Sequence, residues 1–446
     1  MSRLTRPSAI LLVAGAVLAS WTAWAAPAPA VGHVDLSFHR IGHVAIRFWD
    51  GPSSAGVATA VRTQQNGKIV LAGKTWNVRV SEHQPPGPLS VVRLSPDGQP
   101  DLTFGAGTGR VRFDIERLSK ASVSGLTLYA DGRILVAGSI YSRGAFLARL
   151  LPDGRLDATF GVGGIVDDQA GTFEDVATAG GKILAAGAGG LARFNGNGSP
   201  DATFGDRRGG RGRVATQIYG ETKLRVVGNQ ILVAGHADGS YGPLTIGRWN
   251  SDGSPDTSFG TSGRTELPGR WGSGLGLQVT DQGAVVVVGT LLSGGQRAIG
   301  LLRLSSSGRP DAGLNGGQPF AWSAHRGVTT NIDAVAASRH RDGIVVVGET
   351  GSWNDQQAEL FLAKFDGSGR LVGEFDLPQA SARMFYGRGV ATQHDEKVVV
   401  VGQTRDFRRG NTLQGRLWPH FAALRFSDAL SDPPPPAVPG GKRPER

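Results

Sequence analysis

The sequence predicts an all-β protein: a seven-bladed β-propeller of four-stranded antiparallel blades, the last blade closed by the N-terminal strand. Three observations predict it. An apolar run closed by glycine returns at a steady interval. A turn followed by aspartate and phenylalanine comes after most copies of it. The last unit is incomplete, and its missing pieces stand at the other end of the chain.

The apolar runs are KIVLAG at 68–73, RILVAG at 133–138, KILAAG at 182–187, QILVAG at 230–235, AVVVVG at 284–289, GIVVVG at 343–348 and KVVVVG at 397–402. A repeat of roughly 50 residues points to a propeller blade or a stacked array, whereas tandem sandwiches need periods near ~100 residues. The runs are continuously apolar rather than alternating, as strands buried on both faces are. Face-to-face blades bury both faces of a strand. Each unit holds four strand-like pieces, 57–63, 68–72, 90–94 and 110–114 in the first. The first piece is rich in small residues, among them Ala58, Ala60, Ala177, Gly276, Ala336 and Gly389, as innermost strands crowded around a channel require.

The second half of the unit reads SPDGQPDLTFG at 95–105, LPDGRLDATFG at 151–161, NGNGSPDATFG at 195–205 and NSDGSPDTSFG at 250–260. Glycine supplies the positive φ of the turn, aspartate bonds nearby backbone amides, and phenylalanine is the one large apolar anchor, expected to pack between neighbouring units. Two later copies decay. SSSGRPDAGLN at 305–315 has Leu314 for phenylalanine, and GSGRLVGEF at 367–375 has Val372 for aspartate. The seventh unit ends in FAALRF at 421–426 without its own aspartate, phenylalanine or fourth strand. GHVDLSF at 32–38 has the matching spacing, and 43–48 follows as a strand, so the amino end is expected to complete the last blade and leave no open edge.

These repeats resemble the delta-60 repeat family of bacterial exported and surface proteins, over residues 32 to about 426, with PDGxxDxTFG as the specific motif. The resemblance implies a propeller-like scaffold and brings no catalytic residues with it.

Residues 1–25 read as a signal peptide: Arg3 and Arg6, an apolar run at 9–19, and Ala23-Trp24-Ala25 as a small-x-small cleavage site. The run is too short to span a bilayer comfortably, and no other stretch is apolar enough, so the mature form is expected to have no transmembrane segment. Residues 26–431 are expected to form the propeller and 432–446, DPPPPAVPGGKRPER, a disordered proline-rich tail. Export to the periplasm or the medium follows, as does a monomer. Cysteine is absent, which excludes disulfides, thiolate chemistry and cysteine metal sites. The formal charge is +10, near +8 without the first 25 residues, and suits an anionic glycan, cell-wall polymer or acidic partner surface as well as plain solubility. Nucleic acid is an improbable partner for an exported chain. DRRGGRGR at 206–213 reads as a longer solvated turn, with weak phosphate or polyanion binding as the alternative.

No nucleophile elbow, zinc helix, phosphate loop or calcium loop is present, the nine histidines are scattered, and no cofactor or metal is expected. Loop length is the better guide. Residues 74–88 and 403–420 form long connections in the first and seventh units, neighbours once a ring closes. They gather Trp76, Arg79, His83, Arg405, Arg408, Arg409, Arg416, Trp418 and His420, with Phe407, into one sector. Aromatic rings with arginines suit a sugar acid, carboxylate or phosphate. The same loops would also serve as a clamp on the seam. The expected function is a non-enzymatic binding scaffold for a glycan, cell-envelope component or protein partner. The alternative is a hydrolase or lyase acting on a polysaccharide or lactone, for which Glu82, Asp406, His83 and His420 are the available acids and bases.

Overall fold

The computed structural model describes residues 30–48, 54–77, 87–205, 212–237, 243–293, 295–325, 328–329, 332–341, 343–350, 359–377, 385–405 and 419–428. Successive four-stranded meanders surround a channel. The first blade runs Ser54–Thr63, Ile69–Asn77, Leu89–Leu94 and Arg110–Arg112 from the inside out. The second is Ala121–Leu128, Ile134–Ile140, Gly144–Leu150 and Ile165–Asp168. The third is Asp175–Ala179, Lys182–Gly187, Gly190–Phe194 and Arg213–Val214, and the fourth Tyr219–Val227, Gln230–His236, Leu244–Asn250 and Arg264–Glu266. In the fifth the inner strand is split into Arg270–Trp271 and Gly276–Val279, followed by Val285–Ser293, Gln296–Leu304 and Phe320–Trp322. The second strand of each blade is buried on both faces. Val70 packs toward Ala121 and Val123 of the second blade, while Leu71 packs toward Val401 and Phe421 at the ring's end.

The expected count of seven blades is corrected here. Five blades of four strands stand as separate sheets, not seven; the all-β class agrees. The sixth and seventh repeats share one nine-stranded sheet. Ala30–Val34 lies parallel to Leu371–Asp376 of the sixth repeat and antiparallel to Pro419–Asp428 of the seventh, and so joins them through the backbone. The physical reason is local. Lys364 and Val372 replace the arginine and aspartate that tie other repeats to their neighbours, and Leu371–Asp376 offers a free edge that an added strand satisfies. Gly32 makes the fit possible. A Cβ there would stand 2.5 Å from the Phe375 ring and press on the Ser427 carbonyl. Beneath it Phe375 and Phe426 meet edge to face at 5.8 Å.

His43–Ile46 runs antiparallel to Pro419–Asp428, with His43 opposite Leu424 and Ile46 opposite Phe421. Asp35 forms an ion pair with Arg425 at 2.8 Å, and Phe38 lies under that guanidinium at 4.7 Å. One terminus therefore lends its acid and ring to an arginine of the other. Gln393 donates to the Gly67 carbonyl at 3.0 Å and the Thr63 hydroxyl to the Thr392 carbonyl at 3.1 Å, which seats the first blade against the seventh repeat. The proposed signal peptide and tail lie outside the described residues, as do residues 206–211 of the arginine-glycine turn. Among the described residues, no helix is long and apolar enough to cross a membrane.

Candidate functional site

The junctions between repeats are built on one plan. An arginine in the third strand donates Nε–H to an aspartate eight residues later: Arg93 to Asp101 at 2.6 Å, and Arg149 to Asp157, Arg193 to Asp201 and Arg248 to Asp256 each at 2.8 Å. Its Nη1 crosses to a turn carbonyl of the following repeat: Pro152 at 2.6 Å from Arg93, Gly196 from Arg149, Ser251 from Arg193, Ser306 from Arg248 and Pro96 from Arg425. The guanidinium lies over the phenylalanine of its own repeat, 4.5 Å above Phe160 for example. That ring packs on the turn glycine of the next repeat. A Cβ on Gly154, whose φ is +94°, would touch Phe104 at 2.9 Å. The residue after the ring adds a backbone bond across the junction: Gly105 to Asp153, Gly161 to Asn197, Gly205 to Asp252, Gly260 to Ser307 and His39 to Asp97.

A residue at the start of the second strand joins four of these latches, whereas Arg133 of the second blade stands 3.8 Å from Asp157. Lys68 reaches Asp101 at 2.8 Å, Lys182 Asp201 at 2.9 Å, Gln230 Asp256 at 3.1 Å and Lys397 Asp35 at 3.1 Å. Burial alone would push the Asp101 carboxyl up. Lys68, the Thr103 hydroxyl and N–H, and Arg93 outweigh it and hold the group below the usual carboxylate range.

The junction between the fifth blade and the sixth repeat departs from this plan at three side chains together. Ala284 replaces the lysine, Gly313 the threonine or serine, and Leu314 the phenylalanine. Arg303 keeps its bonds to Asp311 at 2.7 Å and to the Gly367 carbonyl at 2.6 Å. A cleft of about 840 Å³ opens at this junction. Its floor is aliphatic, with Val286, Leu301, Leu314 and Ile344, and its walls carry Arg303, Asp311, Asp366 and Ser368. Asp281 and Arg339 pair at 2.6 Å from opposite sides of the mouth. The Asp311 side chain is 32% exposed, against 7% or less for Asp101, Asp157 and Asp201. The Gly313 N–H is the chief cause that holds the Asp311 carboxyl low, with burial opposing it and Arg303 assisting.

The cleft opens among turns that join first to second and third to fourth strands. The long connections expected to form a seam site join second to third strands, at the other end of the blades. Arg79, His83, Arg408, Arg409, Arg416 and Trp418 of that set lie outside the described residues. Arg405 is placed by its backbone opposite Pro419, and its side chain is likewise outside. Trp76 and His420 are both buried. Strand alternation puts Trp76 on the face of Val70 and Ala72, toward the second blade, and His420 on the face of Ala422 and Leu424, toward the sixth repeat. The fold does not bring these two side chains together. The arginine of the latch was missed in the sequence, although its constant eight-residue lead on the aspartate is a readable signal. Among the described residues, no group of three or more histidines and carboxylates stands where it would hold a metal ion.

Three stretches, residues 64–104, 130–160 and 181–204, match the family described as a domain of unknown function (DUF5122) beta-propeller. Each ends on a latch phenylalanine, Phe104, Phe160 or Phe204, so the matched unit carries the elements that join one repeat to the next. No curated protein matches the chain. Solved structures similar to it include the WD40 beta propeller domain of Doa1, at 11% identity and a TM-score of 0.45, covering 86% of this chain and 97% of that one. Polysaccharide lyase Uly1 is similar at 9% identity and 0.45, covering 83% and 90%. The beta-propeller domain of the trilobed protease from Pyrococcus furiosus is similar at 8% and 0.41, covering 78% and 90%. On its strand order, its latched repeats and the matched stretches, the chain is a β-propeller repeat protein.

Proposed function

We propose that this chain is an exported, non-catalytic binding propeller of the delta-60 type that holds a segment of a protein partner in the cleft between the fifth blade and the sixth repeat. One observation carries the reading: the three side chains that fill the other junctions are shortened together at this one, and Arg303 still ties its two sides. The junction has lost its filling and kept its frame. The floor is aliphatic and no aromatic ring lines it among the described residues, which favours an inserted aliphatic side chain over a stacked sugar ring. Asp281, Arg339 and Asp366 at the mouth suit the backbone and charges that flank such a side chain. The basic balance of the chain favours an acidic partner. Export rests on the basic, apolar and small-residue order of residues 1–25.

The test is selection of a random displayed peptide library on the folded protein, repeated on Ala284→Lys/Leu314→Phe. This variant restores the residues found at closed junctions and should fold at least as well. Peptides with a shared aliphatic anchor that bind the restored variant about tenfold more weakly support the proposal. Peptides that bind both proteins alike, or no enrichment at all, overturn it. Fractionation of cells expressing the full chain and a chain without residues 1–25 tests export: retention of both in the cytoplasm contradicts it.

A further inference from the structure

The central channel is a second chemical environment, independent of the cleft. In several innermost strands a bulge turns one residue inward. The register breaks between Ala58 and Ala60, Val123 and Gly125, and Gly387 and Gly389, and the extra residues are Thr59, Ser124 and Arg388. All three line a small cavity of about 80 Å³ at the axis, together with Arg62, Lys223 and Arg225 from neighbouring strands.

Charge in this cavity does not balance. Arg62 and Arg225 share one acid, Asp175, at 4.0 and 3.2 Å, and that carboxylate also accepts the Leu224 N–H at 3.0 Å. Arg388 faces Glu349 at 3.9 Å. Glu221 is taken up by the Gly274 and Leu275 N–H groups at 2.6 and 3.2 Å. Lys223 lines the same space and has no acidic partner among the described residues. Three carboxylates answer the four cations: Arg62, Lys223 and Arg225 stand around the single acid Asp175, and Arg388 faces Glu349 and feels the charge of Glu221. Burial holds the Arg62 guanidinium below its ordinary value, Asp175 opposing and Arg225 adding to the effect, and burial does the same to Arg388. Like charges held this close in a narrow channel favour an anion.

We infer that the channel binds a small oxyanion of the phosphate or sulfate type among Arg62, Lys223, Arg225 and Arg388. The volume suits it, since one water needs about 10–15 Å³ and the channel has room for several. The arginine forks supply paired donors for a tetrahedral oxyanion, and Lys223 supplies a point charge. Ser124 lines the same wall, where the Thr59 hydroxyl is already donated to the Val123 carbonyl at 2.7 Å.

The experiment is titration of the purified protein with inorganic phosphate, with sulfate, and with chloride at matched ionic strength, read by calorimetry and by the thermal midpoint. Saturable binding of phosphate or sulfate that raises the midpoint, with no rise in chloride, is expected. Lys223→Gln breaks no ion pair, so its midpoint without oxyanion should equal or exceed that of the wild type, and its affinity should fall about tenfold. Lys223→Arg should restore most of the affinity. A midpoint that rises equally in chloride, or oxyanion binding unchanged in Lys223→Gln, overturns the inference, as does calorimetry that detects no oxyanion binding.

Discussion

Two junctions of the same ring, built on the same arginine, behave as opposites. Between the second and third blades Arg149 is sealed among Asp157, Thr159, Phe160 and the Gly196 carbonyl. Between the fifth blade and the sixth repeat Arg303 makes the same bonds to an aspartate and a turn carbonyl, yet Gly313 and Leu314 replace the threonine and phenylalanine, Ala284 stands where the second blade has Arg133, and a cleft lies beside it. A guanidinium and a carboxylate are enough to hold two repeats in place. The surrounding side chains decide whether the junction is dry structure or a place for a ligand. A third solution appears between the sixth and seventh repeats, where no aspartate remains at position 372 and a strand from the amino end supplies the connection through backbone pairing.

The largest expected effect is on all the closed junctions at once. Their aspartates are held below the ordinary carboxylate value, so the stability they contribute is fully present above about pH 4 and is lost as the pH falls toward and through their lowered values. The thermal midpoint should be flat from neutral pH to about pH 5 and drop steeply below pH 4. A midpoint unchanged at pH 3 would mean that the latches do not hold the ring.

Single substitutions sharpen the contrast. Asp157→Ala leaves the buried Arg149 without its acid and should cost about 3–5 kcal/mol in denaturant unfolding. Asp311→Ala, in the open junction where solvent screens the pair, should cost no more than about 1 kcal/mol. Equal losses would erase the distinction between the two junctions. Gly32→Val places side-chain atoms against Phe375 and the Ser427 carbonyl, and should cost about 1–3 kcal/mol by forcing Ala30–Val34 away from its neighbours. A neutral result would show that this strand does not join the two repeats. The smallest effect has the opposite sign. Ala284→Lys gives Asp311 the partner that Asp101 has in Lys68, and should add a few tenths to about 1 kcal/mol. A loss of stability would mean that the cleft is not an unfilled copy of the closed junctions.

Much of this was legible in the residues. The apolar runs and Asp-Gly turns mark the strands and their order, and the GHVDLSF segment announced a missing acid and ring that the structure places on Arg425. The number of separate sheets was not legible, because it depends on where residues 30–34 pair, and a five-residue strand with a glycine at its centre carries no signal for its neighbours. The cleft was half visible. Leu314 stands out in the sequence as a decayed phenylalanine, but its turn survives intact, with Asp311 N–H still bonded to the Arg303 carbonyl at 2.9 Å. What is lost is filling, and that shows only when Ala284, distant in sequence, is set beside it. The channel was hidden for another reason: β-bulges decide which residues point inward, and alternation alone assigns them to the wrong face.

The most direct measurement is amide hydrogen exchange at the residue that follows the latch ring. Gly161, Gly205 and Gly260 donate across their junctions at 2.8 Å, whereas the Asn315 N–H, at the same position of the fifth blade, has no such partner among the described residues. Slow exchange at the three glycines and fast exchange at Asn315 is the predicted result. Protection of Asn315 equal to theirs would show a closed junction where the cleft has been placed, and would contradict the account.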